Sequence, residues 1–187
     1  MQALKILARR LKLSLVIAAI FIGLMLAGIF YPMSDEEGWE IQKKLEELGK
    51  NNLELEIFSN NMMVALTGMI PFVGPPLAGY IVFNTGRFLG WTSAQLEIPA
   101  DMMIAMTLII ILLTGYGILE FLGYGIAVAE SLTISYYIIG RRWLLKRELR
   151  MLLLAIALSA LFLALGAVIE AALVRSFGSL IETAGMI

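Results

Sequence analysis

An all-α, polytopic membrane helix bundle is the fold class this sequence predicts, with about five transmembrane helices and a proline-broken second span. Mean hydropathy is +0.87, and hydrophobic residues make up 60% of the 187 positions. Few soluble domains tolerate that much apolar surface. The apolar runs reach the roughly 20 residues a bilayer crossing needs. Single acidic residues, Glu120, Glu130 and Glu170, stand inside those runs, where charge is expensive. Five such spans leave little room for a soluble domain, so residues 1–187 read as a single integral membrane domain.

Leu13–Tyr31 is the first span, and Pro32 ends it. The basic residues before it imitate a secretory signal peptide. The apolar run is too long for that and no small-x-small site follows, so the span is expected to be retained. Ser34–Ile57 is acidic, with Asp35, Glu36, Glu37, Glu40, Glu46, Glu47, Glu54 and Glu56 against Lys43, Lys44 and Lys50. Trp39, Ile41, Leu45 and Leu48 recur at roughly helical spacing. That predicts a short amphipathic helix on the membrane surface or on the helix ends.

Phe58–Trp91 is apolar but interrupted by Pro71, Gly74, Pro75 and Pro76. Prolines remove donors and clash with the preceding turn. The stretch is therefore one kinked span, or a half-helix followed by a full span. Thr92–Asp101 is a polar link. Met102–Ile139 would be about 57 Å long as one helix, roughly twice the hydrocarbon thickness. It should fold as a hairpin turning at Gly115, Gly117, Gly123 and Gly125. Gly140–Arg150 is a basic loop, and Met151–Val174 is the last span.

Lys5, Arg9, Arg10 and Lys12 precede the first span; Arg141, Arg142, Lys146, Arg147 and Arg150 fill the 140–150 loop. Both regions should be cytoplasmic by the positive-inside rule. A single crossing by Phe58–Trp91 then makes the parity work. The N-terminus is inside, the 34–57 segment outside, the 140–150 loop inside and the C-terminus outside, in a cell membrane.

This topology puts Asn60, Asn61, Glu120 and Glu170 at one depth near the outer face. Two readings of them stand. They form an outward-facing polar pocket, or they hydrogen-bond across helix interfaces as structural glue. Glu130 lies about 15 Å deeper. Its simpler reading is a protonated carboxyl bonded to backbone or to Ser131, Thr133 or Ser135. Asn84, Gly86, Arg87 and Gly90 fall at the inner end of the second span, with Arg87 free to pair with Glu97 and Asp101. Arg175 is placed to pair with either outer glutamate. The methionines (Met62, Met63, Met102, Met103, Met106) read as lipid-facing or core. Tyr116, Tyr124, Tyr136 and Tyr137 read as interfacial anchors and packing groups.

Composition narrows function. The chain has no cysteine and no histidine. That removes disulfides, thiolate nucleophiles and the commonest general base and zinc ligand. No catalytic, cofactor or metal residues are assigned. The net charge of −1 argues against nucleic acid.

Four ordered patterns resemble the stage II sporulation protein M family. They are Phe58-Ser59-Asn60-Asn61, Asn84-Thr85-Gly86-Arg87-Phe88-Leu89-Gly90, Gly117-Ile118-Leu119-Glu120 and Ala167-Val168-Ile169-Glu170-Ala171. Tyr116-Gly117 stands where that family often has His-Gly, and Leu122-Gly123 where it usually has Pro-Ala. The resemblance implies a multi-pass protein working with partners, in spore-forming bacteria within septal and engulfment complexes alongside cell-wall enzymes.

The expected function is a non-enzymatic scaffold or subunit of a membrane complex. Its partners are the lipid bilayer, further copies of itself and other membrane or cell-envelope proteins. Small residues at Gly123/Ala127, Ala155/Ser159 and Ala160/Ala164 suit self-association. The alternative is a transporter or permease-type module using the outer pocket and Glu130; an intramembrane hydrolase ranks third. Single cysteines in this cysteine-free chain test the topology. Impermeant maleimide is expected to label positions in 34–57 from outside and none in 140–150.

Overall fold

The computed structural model describes residues 2–47, 52–141 and 145–183. Among the described residues it is entirely helical, with seven helices: α1 (Gln2–Gly28), α2 (Asp35–Glu47), α3 (Leu53–Gly68), α4 (Gly74–Gln95), α5 (Ala100–Thr114), α6 (Tyr116–Gly140) and α7 (Leu145–Thr183). Three stretches of the described residues are long and apolar enough to cross a membrane: Ala8–Gly28 in α1, Tyr116–Gly140 in α6 and Arg150–Ser176 in α7. The chain is therefore a membrane-type helical bundle. α5 is apolar but has only 15 residues, about 22 Å against a hydrocarbon core of about 30 Å.

α6 is the hub, touching α1, α3, α4, α5 and α7. Its partners run in fixed directions. Arg10 near the start of α1 reaches Glu148 near the start of α7. Arg175 near the end of α7 pairs with Glu54 at the start of α3. Arg87, late in α4, bonds the Pro32 carbonyl just beyond α1. α1 and α7 thus run from one end of the bundle to the other. α3 begins, and α4 finishes, at the end where α1 and α7 finish.

The single crossing expected of Phe58–Trp91 is not what the helices do: α3 goes in and α4 comes back. Between them residues 69–73 leave the α-helix. Pro71 lies in this gap, and Pro75 and Pro76 occupy the first turn of α4, where a missing N–H is harmless. Phe72 takes a left-handed φ of 67°. α6 satisfies the freed backbone. Ser131 Oγ donates to the Ile70 carbonyl at 2.8 Å, and the Phe72 N–H donates to Ser135 Oγ at 2.9 Å.

α2 forms where the apolar spacing placed an amphipathic helix, although Leu48 lies outside the described residues. Ser34 and Glu37 cap it reciprocally: the Glu37 N–H donates to Ser34 Oγ, and the Ser34 N–H to Glu37 Oε2, a capping box. α2 docks on α4. Trp91 Nε1 donates to Asp35 Oδ1 at 2.9 Å, and the Trp39 and Trp91 rings meet edge-on at 5.1 Å.

The turn in Met102–Ile139 falls at Gly115 alone, whose φ is 76°. Gly117, Gly123 and Gly125, expected in the turn, lie within α6 and are packing positions. A Cβ on Gly125 would sit 2.3 Å from the Ser14 carbonyl oxygen, and one on Gly86 would sit 1.9 Å from that of Met25. These contacts let α1 lie against both α6 and α4. Gly123 is covered by Leu163, and Ser159 Oγ donates to its carbonyl. Gly123, Ala127, Ala155 and Ser159 are buried, so these small residues are used inside one subunit.

Gly86→Ala is expected to destabilise the detergent-solubilised protein by about 1–3 kcal/mol, because backbone must shift to admit the methyl. Gly23→Ala, with open space at its Cβ, should be neutral or slightly stabilising. Thermal unfolding midpoints of the two variants check this.

Candidate functional site

The expected outer cluster exists in altered form. Asn61 comes from α3, Glu120 from α6 and Glu170 from α7. The Asn61 side-chain amide donates to Glu120 Oε1, and the Glu170 carboxyl group neighbours that of Glu120. Gly166 on α7 makes the space: a Cβ there would lie 3.2 Å from Glu120 Cγ.

Two corrections apply to membership. Asn60 is exposed on α3, because consecutive helical residues point about 100° apart and only Asn61 can face α6. Arg175 is taken by Glu54 through paired contacts of 2.5 and 2.6 Å, which hold the Glu54 carboxyl below its usual range. The sequence reading also missed Tyr124. It is buried, and its hydroxyl donates to Asn61 Oδ1 at 2.7 Å. It sits one helical turn after Glu120, and that i, i+4 spacing on α6 was the available signal.

Glu130 is not bonded to a neighbouring hydroxyl. Ser131 and Ser135 serve the α3–α4 gap, and Thr133 bonds the Ala129 carbonyl in its own helix. The partner of Glu130 is Arg10 on α1, which also holds Glu148 on α7. All three side chains are largely buried. One guanidinium thus ties together three helices, its fork meeting one carboxylate with each terminal nitrogen. Nothing in the local sequence around Glu130 points to a cation 120 residues away. Arg10 read as one of several topology-setting charges.

Asn84, Gly86, Arg87 and Gly90, expected at the inner end, lie beside the far end of α1. Arg87 donates to the Pro32 carbonyl through Nε (3.1 Å) and one terminal nitrogen (2.8 Å). It donates to Asn84 Oδ1 at 2.9 Å and pairs with Glu37 at 3.1 Å. Glu97 and Asp101 are exposed and are not its partners. The misplacement follows from the expected single crossing: once α4 returns towards its starting end, its last turns face the end of α1.

The arrangement has limited chemistry. Among the described residues no group of three or more His, Cys, Asp or Glu side chains could hold a metal ion. Glu120, Glu130 and Glu148 bond to side chains of other helices. The chain matches no protein-family model, no curated protein and no solved structure.

Removing one partner of a buried ion pair strands the other charge, at a cost of about 3–5 kcal/mol. Arg10→Gln should therefore lower stability by about that amount, whereas the triple variant Arg10→Gln/Glu130→Gln/Glu148→Gln should lose far less. Chemical denaturation in one detergent measures both.

Proposed function

We propose that this chain is a non-enzymatic scaffold, a subunit of a larger membrane complex. One observation carries the reading: the buried carboxyl groups are engaged by side chains of other helices rather than lining an open path. Glu120 meets Asn61 and Glu170; Glu130 and Glu148 meet Arg10. Two surface grooves lie elsewhere. One runs between α1 and α4 past Phe21, Pro75 and Tyr80, and the other along α3 past Phe58, Met62 and Leu66. Neither is lined by a carboxylate. A transporter would need a continuous polar route past Glu130, and a salt bridge occupies that position.

In this reading α1, α6 and α7 cross the cell membrane. α3 and α4 form a proline-interrupted pair that dips in from one face and returns, and α5 inserts from the same face and leads into α6. Three crossings then replace five. The parity is unchanged: the N-terminus and the 140–150 loop are cytoplasmic, and the C-terminus is external. The Lys/Arg asymmetry supports this orientation, as does the shared end of Arg10 and Glu148.

Residues from three of the four patterns that resemble stage II sporulation protein M, namely Asn61, Glu120 and Glu170, come together, with Asn61 bonded to Glu120. The fourth supplies Gly86 and Arg87, which join α4 to α1. Motif residues that lock a fold support membership of a structural family better than a transport role. Self-association remains part of the proposal, through faces other than the buried small residues of α6 and α7.

Purified from native membranes in mild detergent, the chain is expected to come with itself or another membrane protein at fixed stoichiometry. Reconstituted alone, it should carry no proton or cation flux. A strictly monomeric chain in nanodiscs, together with a flux abolished by Glu130→Gln, would overturn the proposal.

A further inference from the structure

The two ends of the bundle differ in how their charges are matched. At the end where α1 and α7 begin, the buried glutamates Glu130 and Glu148 both take Arg10 as their ion-pair partner. The outer cations of the same end have no direct ion-pair partner among the described residues. Arg9 and Lys12 on α1, Arg141 just after α6 and Arg150 on α7 are all exposed. None of them makes an ion pair with a described residue. At the opposite end α2 exposes Glu36, Glu40, Glu46 and Glu47.

The exposed cations sit above exposed apolar side chains at helical spacing. On α1, Lys12 is followed at i+3 and i+4 by Leu15 and Val16, both exposed. On α7, Arg150 is followed at i+3 and i+4 by Leu153 and Leu154, also exposed. Residues three and four apart share a helix face. At the end of α6, the Arg141 guanidinium lies 5.9 Å from the centroid of the exposed Tyr136 ring, with Ile139 beside them exposed. Each of the three helices thus carries, towards this end, an exposed cation with exposed apolar side chains beside it.

That pairing matches the two parts of a phospholipid, a phosphodiester headgroup and its acyl chains. A free phosphate would use the cations and leave the apolar faces idle. We propose that the rim formed by Lys12, Arg141 and Arg150 binds anionic phospholipid headgroups of the leaflet at this end, with acyl chains lying on Leu15, Val16, Leu153 and Leu154. The inference needs α1, α6 and α7 to be in a membrane; it does not depend on the scaffold reading.

The test uses the full chain in mild detergent with added phosphatidylglycerol or phosphatidylcholine, read by native mass spectrometry and thermal shift. Phosphatidylglycerol is expected to stay bound and to raise the unfolding midpoint, and phosphatidylcholine to do neither. A basic side chain near an anionic membrane surface contributes about 1 kcal/mol, or about fivefold in affinity. Lys12→Gln/Arg141→Gln/Arg150→Gln should therefore weaken phosphatidylglycerol binding by roughly 100-fold. Arg141→Lys/Arg150→Lys, which keeps the charge and guards against a folding defect, should retain most of it. Equal retention of the two lipids, or undiminished phosphatidylglycerol binding by the triple variant, would overturn the proposal. So would displacement of the lipid by millimolar inorganic phosphate, which would assign the rim to a free anion.

Discussion

A polar group in hydrocarbon has no water to turn to, so each one must be met by protein. That demand organises the interior of this bundle, with one exception among the described residues: Glu130 Oε1 is buried without a hydrogen-bond partner. Asn61 is met by Glu120 and Tyr124, Glu130 and Glu148 by Arg10, and the Gly123 carbonyl by Ser159. Each bond joins different helices and fixes their relative depth and rotation. Apolar packing alone could not do this, because lipid tails are as apolar as leucine and offer the helices little reason to choose each other.

The same constraint explains how the chain can stop being helical between Gly68 and Gly74. Pro71 withholds an N–H, and the left-handed Phe72 turns the backbone away from the helix path. The Phe72 N–H is taken by Ser135 on α6, and the Ile70 carbonyl, which already accepts from the Gly74 N–H, takes a second bond from Ser131. Those two serines are one helical turn apart, so a single face of α6 holds the gap. The break and the serines are therefore one device divided between distant parts of the sequence. It lets α4 turn back and brings Arg87 to Pro32 and Glu37, where α1, α2 and α4 are fastened together.

Close approach is the second requirement. α1 lies between α4 and α6 only because Gly86 and Gly125 present bare backbone to the carbonyls of Met25 and Ser14. With α1 so placed, Arg10 can reach both Glu130 and Glu148. The small residues and the buried ion bridge are thus coupled: the glycines set the distance and the arginine uses it.

Much of this was legible in the residues themselves. Hydropathy determined that the chain is helical and membrane-type, and apolar run length marked the regions of α1, α6 and α7. Helical spacing over Trp39, Ile41 and Leu45 located α2. Polar residues stranded in apolar runs singled out Asn61, Glu120 and Glu170 before any contact was known, because such groups are tolerated only with a partner. Local pattern could not name the partners. Arg10 with Glu130, Ser135 with Phe72 and Tyr124 with Asn61 are separated by 120, 63 and 63 residues. Composition carries no trace of such pairings. The direction of α4 was equally hidden: hydropathy measures how apolar a stretch is, not which way it runs. Tertiary structure decided both, because only packing against α6 and α1 determines which polar group each side chain can reach.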